Sequence, residues 1–282
     1  MLNNPFNGGI SVEIKNKVAI ITGAGSGIGN AVAIELANRG IKAVLMVDLT
    51  PQVQVNAEQV NTEVGREVAF PYQGDVTDAV FRAKVFDDAQ AKFGIISICI
   101  PAAGITRDSL AVRLDKDTGK ARIYEQEKFQ LVIDVNLIAP VYWALEMVAR
   151  IAEVRFAEGL SKWKADEGVQ GAIIFIGSVS SQGNKGQISY AATKAGLEGA
   201  AATLMKEAIF YGVRCGVIHP GFTDTPMVRA LGEEYIEKHV LPDTQLGRLI
   251  RPAEIADAIC FMVSNSAISG ELWADAGWHP NP

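Results

Sequence analysis

Several features that mark common protein classes are missing from this sequence. Its 282 residues include only three cysteines, Cys99, Cys215 and Cys260, which are widely separated and stand in apolar runs. There is no CxxC pair and no histidine-rich cluster, so the sequence predicts neither a disulfide framework nor a metal site. Such cysteines behave as small buried hydrophobes, and we expect a reducing, cytoplasmic location.

Two kinds of partner are also disfavoured. The net charge is -6 and the Lys and Arg residues are dispersed, so no basic stripe is available to neutralise nucleic-acid phosphates. The N-terminal segment MLNNPFNGGISVEIKNK lacks the apolar core of a secretory signal, and no uninterrupted apolar run has the length that a bilayer requires. We therefore expect a protein that binds neither nucleic acid nor membrane.

Short apolar runs recur along the chain and predict seven strands. The runs are VAIIT from Val18, AVLMVD from Ala43, EVAF from Glu67, IISICI from Ile95, GAIIFIG from Gly171, VRCGVIH from Val213 and ELWAD from Glu271. Segments with helical spacing separate most of them, which predicts parallel pairing, and continuous hydrophobicity is typical of strands covered on both faces. We predict one α/β domain over residues 1–282, a doubly wound seven-stranded parallel sheet flanked by helices, with an N-terminal extension over residues 1–16.

Two polar stretches fit this pattern poorly, and we interpret both as surface elaborations. Residues 112–127 contain a turn-like DKDTGK and are predicted to be a loop that leads into a helix. Residues 157–170 extend the link into the fifth predicted strand. Their Trp163 either caps an exposed apolar spot or lines a substrate or subunit contact.

A glycine-rich segment, TGAGSGIG from Thr22, follows the first predicted strand directly and opens the first predicted helix. Glycines allow a sharp turn there and let backbone N–H groups approach a pyrophosphate, which the helix N-terminus stabilises. Glycine in such turns also has purely structural uses, but strand, glycines and helix coincide here as in a Rossmann fold. The segment therefore predicts cofactor contacts from Gly23, Ser26, Gly27, Ile28 and Gly29.

Asp48 ends the second predicted strand, 19 positions after Gly29. A Rossmann fold presents an acidic side chain there to the adenosine ribose hydroxyls. The carboxylate would repel a 2′-phosphate, and neither Leu49 nor Thr50 could neutralise one, so we predict NAD(H) rather than NADP(H). The alternative is a solvated aspartate that starts a turn before Pro51.

Tyr190 and Lys194 stand four residues apart in a stretch rich in helix formers, so they share one helix face. A neighbouring ammonium favours the phenolate, and we expect Lys194 to lower the pKa of Tyr190 towards the range of a general acid or base. Ser178 follows a predicted strand at the carboxyl edge of the sheet. Its hydroxyl could hold a substrate carbonyl there or form a turn.

The ordered set of these motifs resembles the short-chain dehydrogenase/reductases along nearly the whole chain. The matching segments are TGAGSGIG, Asp75-Val76, Ala103-Gly104, Asn136, Ser178, Tyr190-Ala-Ala-Thr-Lys194 and Pro220-Gly221. The resemblance implies that Tyr190 donates or accepts the proton and that Ser178 orients the carbonyl or alcohol. It also implies that Lys194 binds the nicotinamide ribose and that Asn136 anchors a water of the proton relay.

The same resemblance implies the remaining cofactor contacts. They are Asp75 and Val76 at the adenine and Ala103 and Gly104 at the ribose beside it. Tyr190 and Lys194 also contact the cofactor. The residues at the nicotinamide carboxamide are Pro220, Gly221, Phe222, Thr223 and Thr225. His219 precedes this last loop, and we interpret it as a strand-end residue rather than a second acid, because the site already has a proton donor. One departure is the segment 101–104, Pro-Ala-Ala-Gly, where the family usually has Asn-Asn-Ala-Gly, so cofactor affinity or the order of that strand could differ.

Within the family, GITRDSL from Gly104, SYAATKAGL from Ser189 and PGFTDTPM from Pro220 are most similar to 3-oxoacyl-carrier-protein reductases. Reductive fatty-acid enzymes usually take NADPH, which Asp48 disfavours. We therefore predict an oxidoreductase for a small-molecule ketone and secondary alcohol. The alternatives are a 3-oxoacyl (carrier protein or CoA) reductase and, remotely, a non-catalytic dinucleotide sensor.

The resemblance also bears on the lid and on assembly. Residues 222–246 would form the substrate lid, and their Met227, Leu231, Tyr235 and Ile236 indicate a hydrophobic pocket, although packing against the core would leave the same pattern. Family members are commonly tetramers, so we expect a homo-oligomer, a homotetramer by resemblance.

Overall fold

A computed structural model of the protein describes residues 14–278 and contains a seven-stranded sheet of order β3-β2-β1-β4-β7-β8-β9. The strands of the chain are β1 Val18–Thr22, β2 Ala43–Asp48, β3 Ala69–Gln73, β4 Ile98–Pro101, β5 Val112–Leu114, β6 Ala121–Ile123, β7 Gly171–Ile176, β8 Val213–Pro220 and β9 Gly270–Ala274. Every pair in the large sheet is parallel. The predicted seven-stranded parallel sheet is confirmed, while most of the predicted N-terminal extension lies outside the described residues.

Helices connect these strands and cover the sheet. They are α1 Gly27–Asn38, α2 Gln52–Val64, α3 Ala79–Phe93, α4 Gln126–Ile133, α5 Ala139–Ala157, α6 Ile188–Glu207, α7 Pro226–Arg229, α8 Glu233–His239 and α9 Pro252–Ser264. Local sequence sets several of their ends. The Asp78 carboxylate accepts from two backbone N–H groups in the first turn of α3, and Gly65 ends α2 in the left-handed region at φ 68°.

Two apolar clusters, one on each face of the sheet, form the core. The β1 residues Ala19 and Ile21 belong to the cluster that includes α1 and α9, whereas Val18 and Ile20 face α3, α5 and α6. All five β1 residues are buried, because a strand covered on both faces has no solvent side. Full burial of an isoleucine side chain contributes about 1.5–3 kcal/mol relative to exposure.

The strand order reverses at β1, which pairs with β2 on one side and β4 on the other. Connections that leave these two strands in opposite directions open a crevice at the carboxyl edge of the sheet, where doubly wound proteins bind ligands. The glycine loop follows β1 at this point and the segment 102–104 follows β4. The fold therefore brings the predicted motifs to one edge.

Residues 112–127 are not the loop that the sequence predicted. Strands β5 and β6 form an antiparallel hairpin in which Val112 faces Ile123 and Leu114 faces Ala121 across the ladder. The turn-like DKDTGK is the connection between them. Strands of three residues are too short to show the alternation of apolar and polar residues that predicts a strand. The sequence therefore predicts the turn but not the two strands beside it.

Residues 126–157 run as one continuous helical segment, in which a π-helical turn over residues 134–138 joins α4 to α5. Within residues 14–278 it is the one segment long and apolar enough to cross a membrane by length and composition. The segment is not an uninterrupted apolar run, because Asp134 and Glu146 lie within it. Trp143 and Met147 are fully buried against the sheet, and core helices pass the same test, so the segment is weak evidence for a membrane.

The stretch that follows α5 closes back onto the fold. The indole Nε1 of Trp163 donates to the Gly168 carbonyl at 2.7 Å, and its backbone N–H donates to the Phe210 carbonyl at 2.8 Å. The ring covers Gly212, where a Cβ would come within 2.5 Å of the indole Cδ1. This packing matches the interpretation of Trp163 as a cap.

Candidate functional site

Two adjoining cavities open at the carboxyl edge of the sheet. The larger, a groove of about 490 Å³, runs along the ends of β1, β2 and β4, and a smaller inner cavity of about 150 Å³ lies beyond the end of β7. Five residues line both: Ile28, Ile176, Tyr190, Thr225 and Met227. The predicted cofactor residues that line the groove are Gly23, Ser26, Gly27, Ile28, Gly29, Asp48, Asp75, Val76, Ala103, Gly104, Tyr190, Lys194 and Thr225. Those that line the inner cavity are Ile28, Tyr190, Pro220, Gly221, Phe222, Thr223 and Thr225.

The glycine loop packs closely against its neighbours. Gly23 has φ 68°, and a Cβ there would lie 2.7 Å from the Ala103 Cα. A Cβ on Gly25 would lie 2.7 Å from the Asp48 carboxylate carbon. Ser26 precedes α1 without a side-chain hydrogen bond to the first turn, so its side chain does not occupy the N–H groups that face an anion at this helix N-terminus.

Asp48 is held in the groove by three hydrogen bonds. Its Oδ2 accepts from the Gly25 N–H at 2.9 Å, and its Oδ1 accepts from the Thr50 N–H at 2.9 Å and the Thr50 hydroxyl at 2.8 Å. The two interpretations of Asp48 are thus compatible, because the side chain both starts a turn and lines the groove. The basic residues that line the groove are Arg107, whose guanidinium donates to the Thr106 carbonyl at 2.7 Å, and Lys194, whose ammonium donates to the Ile176 carbonyl at 2.7 Å.

Hydrogen bonds to Thr22, at the end of β1, hold the segment after β4 in which the sequence departs from the usual Asn-Asn-Ala-Gly. The Thr22 carbonyl accepts from the Ala102 N–H and the Thr22 hydroxyl accepts from the Ala103 N–H, both at 3.1 Å. Pro101 still pairs in register with Thr22 at the end of β4. The strand is therefore ordered without the two amide side chains that the family usually has here.

Helix α6 and the end of β7 bring Tyr190, Lys194 and Ser178 together. Tyr190 stands where the groove and the inner cavity meet, and Ser178, which lines the inner cavity beside it, acts to lower the pKa of its hydroxyl. The Lys194 ammonium lines the groove, donates to the Ile176 carbonyl at 2.7 Å and lies 5.4 Å from the centre of the Tyr190 ring. The predicted trio is thus in one place, with Tyr190 and Lys194 on α6 and Ser178 after the end of β7.

The electrostatics of this trio differ from the expectation. Burial raises the pKa of Tyr190 to about 12, which Ser178 only partly opposes, and burial lowers the pKa of Lys194 to about 8. The expected lowering of the tyrosine pKa by Lys194 does not occur in this structure. The ammonium lies over the ring and donates to a backbone carbonyl, and desolvation is the largest influence on the phenol, followed by Ser178 and Asp108.

Asn136 lies behind the cavities rather than on their walls. It is fully buried in the π-helical turn; its Oδ1 accepts from the Ile105 N–H and its Nδ2 donates to the Ile105 carbonyl, both at 2.8 Å. The side chain therefore fixes the segment that follows Gly104, a role that the sequence did not indicate.

The imidazole ring of His219 lies next to the backbone of Ser178. It lies one residue before the end of β8, fully buried and stacked on Trp273 with ring centroids 4.2 Å apart. Its Nδ1 is 3.3 Å from both the backbone nitrogen and the backbone oxygen of Ser178. It lines neither cavity, which agrees with its interpretation as a strand-end residue rather than a second acid.

The apolar residues of segment 222–246 divide into two groups. Met227 and Leu231 line the inner cavity, whereas Ile236 packs in a small cluster with Val240 and Leu249. Tyr235 is exposed and lies against His239. Only part of the predicted hydrophobic lining therefore faces the cavity.

The sequence did not single out the polar side of the inner cavity. Asp108 lines it and accepts from Gln187 Nε2 at 2.8 Å, and the Ser109 N–H donates to the Gly186 carbonyl at 2.8 Å. Tyr124, directly after the hairpin, shares a hydrogen bond of 3.0 Å with the Ser189 hydroxyl. The segment GITRDSL was matched to the family, but nothing in its spacing showed that it would contact residues 186–189.

Known proteins are similar to this chain over most of its length. Residues 17–236 match a family model described as short chain dehydrogenase. The chain is 32% identical over 263 residues to the 3-oxoacyl-(acyl-carrier-protein) reductase FabG of Escherichia coli (strain K12), covering 92% of this chain and 96% of that protein. It is 31% identical over 264 residues to the (3R)-3-hydroxyacyl-CoA dehydrogenase of Canis lupus familiaris, covering 91% of this chain and 92% of that protein.

Proposed function

The chain belongs to the short-chain dehydrogenase/reductase family and is an oxidoreductase that acts on CH–OH groups, and we propose that it interconverts a ketone and a secondary alcohol with NAD(H). One observation carries the proposal. Tyr190 stands between the groove, which has the shape and lining for a dinucleotide, and the inner cavity, where Ser178 could orient a carbonyl. When bound, NAD(H) supplies or accepts the hydride.

The chain's own residues then handle the proton and the oxygen. In the reductive direction the Ser178 hydroxyl donates a hydrogen bond to the substrate carbonyl, and the Tyr190 hydroxyl delivers its proton to the same oxygen as the alcohol forms. Lys194 binds the ribose next to the nicotinamide and stabilises the tyrosinate that remains. Asn136 positions the wall of the groove through Ile105 and anchors a water of the proton relay.

Two features support NAD(H) over NADP(H). The Asp48 carboxylate lines the groove at the end of β2, and the turn that it forms leaves its charge where a 2′-phosphate would lie. The adjacent Leu49 and Thr50 offer no positive charge. The glycine loop and the N-terminus of α1 would hold the pyrophosphate.

A second candidate is the reduction of a 3-oxoacyl thioester. The names of the bacterial and canine relatives favour it, because one acts on a carrier-bound and the other on a CoA-bound acyl group. A non-catalytic dinucleotide sensor is disfavoured by the presence of Asn136, Ser178, Tyr190 and Lys194 together. We further propose a cytoplasmic homotetramer.

A matrix of substrates and cofactors tests the proposal. Small ketones, secondary alcohols and 3-oxoacyl thioesters are each assayed with NADH or NADPH, or with their oxidised forms. We expect turnover of a ketone or secondary alcohol with kcat/KM at least about tenfold higher for the NAD(H) form. Turnover confined to thioesters would establish the second candidate, and binding of NADH without turnover of any class would favour the sensor.

A further inference from the structure

Three acidic or imidazole side chains from three separate elements converge behind Ser178. They are Glu198 on α6, His219 on β8 and Glu271 on β9, and one ligand atom from each lies within 4.8 Å of the other two. His219 pairs in register with Trp273, and the alternation of a strand places Glu271 on the same face as Trp273. Glu198 is one helical turn after Lys194 on the same face of α6.

The buried histidine has a nitrogen without a hydrogen-bond partner. Within residues 14–278, His219 Nε2 makes no hydrogen bond although the side chain is fully buried, and the nearest carboxylate oxygen, Glu271 Oε2, is 3.4 Å away. The ring is fixed by its stack on Trp273 and by Gly177, where a Cβ would lie 2.6 Å from Nδ1. An unsatisfied buried nitrogen is costly, and a ligand at Nε2 would remove that cost.

The charges around this nitrogen favour a cation. Glu198 and Glu271 form no ion pair with Lys or Arg in the part of the chain that the structure describes, and the basic side chain nearest to both is His219, at 3.8 Å from Glu198 and 3.4 Å from Glu271. Lys194, one turn away, donates instead to the Ile176 carbonyl. Two carboxylates that face one imidazole form a pocket whose charge a divalent cation complements.

We propose that Glu198, His219 and Glu271 bind a divalent transition-metal ion such as zinc or manganese, with His219 Nε2 as the nitrogen ligand. Bonds of about 2.1 Å in a tetrahedral site place ligand atoms about 3.4 Å apart. The 3.4 Å separation of Nε2 and Glu271 Oε2 already has this value. Glu198, which now approaches the Nδ1 side, completes the site by rotating its partly exposed side chain, and water takes the fourth position.

The site has an entry path and a connection to the catalytic serine. The Glu271 side chain is 43% exposed, so an ion reaches the site from solvent. When Nε2 binds the ion, the imidazole proton lies on Nδ1, which then donates to the Ser178 carbonyl 3.3 Å away and no longer accepts from the Ser178 N–H, which lies at the same distance. The ion is thus a structural element that fixes the backbone of Ser178, and it takes no part in hydride or proton transfer.

The test uses the full-length protein after treatment with a chelator. Zinc and manganese binding are measured by calorimetry for the wild type, Glu198→Gln and Glu271→Gln, with Glu207→Gln as the matched control. Glu207 is an exposed glutamate at the end of the same helix, and its substitution changes the net charge equally. Substitution by glutamine keeps the side-chain size, and thermal unfolding without metal checks that each variant folds.

We expect one ion per chain in the wild type and control, and affinity weakened at least about tenfold in each cluster variant. Zinc should also raise the unfolding temperature of the wild type and the control but not that of the cluster variants. Equal affinity in all four proteins, or no binding to the wild type, would overturn the proposal. So would nitrogen NMR that places the metal on Nδ1 of His219.

Discussion

The Lys194 ammonium lies 5.4 Å from the centre of the Tyr190 ring and donates to the Ile176 carbonyl at 2.7 Å. The two side chains that the sequence pairs by spacing are therefore neighbours, but the lysine charge is directed at a ring face and a backbone oxygen. Burial governs the ionisation of both in this structure. The ribose hydroxyls of a bound cofactor would join the two groups, so the pair depends on the cofactor to act together.

The lowered lysine pKa has a consequence for stability. Lys194 has a pKa of about 8 in the folded protein against 10.5 for an ordinary lysine, so the unfolded chain binds more protons between these values. The destabilisation is complete below pH 8 and disappears as the pH rises towards 10.5. We expect Lys194→Met to unfold with a free energy about 3 kcal/mol higher at pH 7, with an advantage that shrinks as the pH rises to 10.

Urea unfolding of the two proteins at several pH values measures this difference. Lys206→Met, at an exposed position near the end of the same helix, is the control and should show no such trend. A difference that stays constant with pH would contradict the assigned ionisation. The Lys194→Met protein should also lose most of its turnover, since the ribose contact is gone.

Removal of the Tyr190 hydroxyl should separate chemistry from binding. Tyr190→Phe keeps the ring between the two cavities but has no proton to donate, so we expect kcat to fall by about 10³. Stopped-flow or steady-state rates measure the loss, and fluorescence titration measures NADH binding, which should change by less than about threefold. Undiminished turnover in this variant would refute the mechanism.

The cofactor preference should depend on the charge of Asp48. Asp48→Asn keeps the shape of the side chain but removes the repulsion of a 2′-phosphate, and we expect the ratio of the NADPH to the NADH dissociation constant to fall by about tenfold. Asp75→Asn is a matched control, because Asp75 also lines the groove and accepts from Thr77 with the same two distances, 2.9 and 2.8 Å, that join Asp48 to Thr50. Asp75→Asn should change the NADH and NADPH dissociation constants alike. An equal fall of their ratio in Asp48→Asn and Asp75→Asn would contradict the role of Asp48.

Asn136 should contribute to stability through Ile105. Asn136→Leu leaves the partly buried N–H and carbonyl of Ile105 without their partners, and we expect the free energy of unfolding to fall by about 1–3 kcal/mol. Asn136→Asp retains an acceptor for the Ile105 N–H but loses the donor to the Ile105 carbonyl. Its free energy of unfolding should therefore lie between those of the wild type and the leucine variant. Denaturant unfolding measures the series, and a leucine variant as stable as the wild type would show that the two bonds are not needed.

Most of the sheet could be predicted because its strands are continuous apolar runs between turns. The predicted strand starts at Glu67 and Ile95 were early by a few residues, since β3 begins at Ala69 and β4 at Ile98. Apolar side chains before a strand also face the core, so hydrophobicity alone does not mark where the ladder begins.

The sequence predicts which residues belong to the site better than it predicts how their side chains are arranged. Spacing on one helix shows that Tyr190 and Lys194 share a face, but the pKa of each depends on burial by elements far away in sequence. In the same way, Glu198, His219 and Glu271 have no common motif, and only the packing of α6 over β8 and β9 brings them together. The sequence predicts no metal site because that prediction uses short motifs, and residues that are far apart in the sequence form no such motif.

The hairpin of β5 and β6 places Val112, Leu114 and Ile123 on one exposed face and Arg113 and Arg122 on the other. An isolated hairpin is marginally stable in water, so its amide hydrogens should exchange with solvent long before those of the large sheet. Its base is nevertheless joined to the site, because the Tyr124 hydroxyl bonds both the Arg107 carbonyl and Ser189. The edge of the inner cavity is thus attached to a segment that contributes little to the folding free energy, so substitutions in the hairpin can alter that edge without weakening the core.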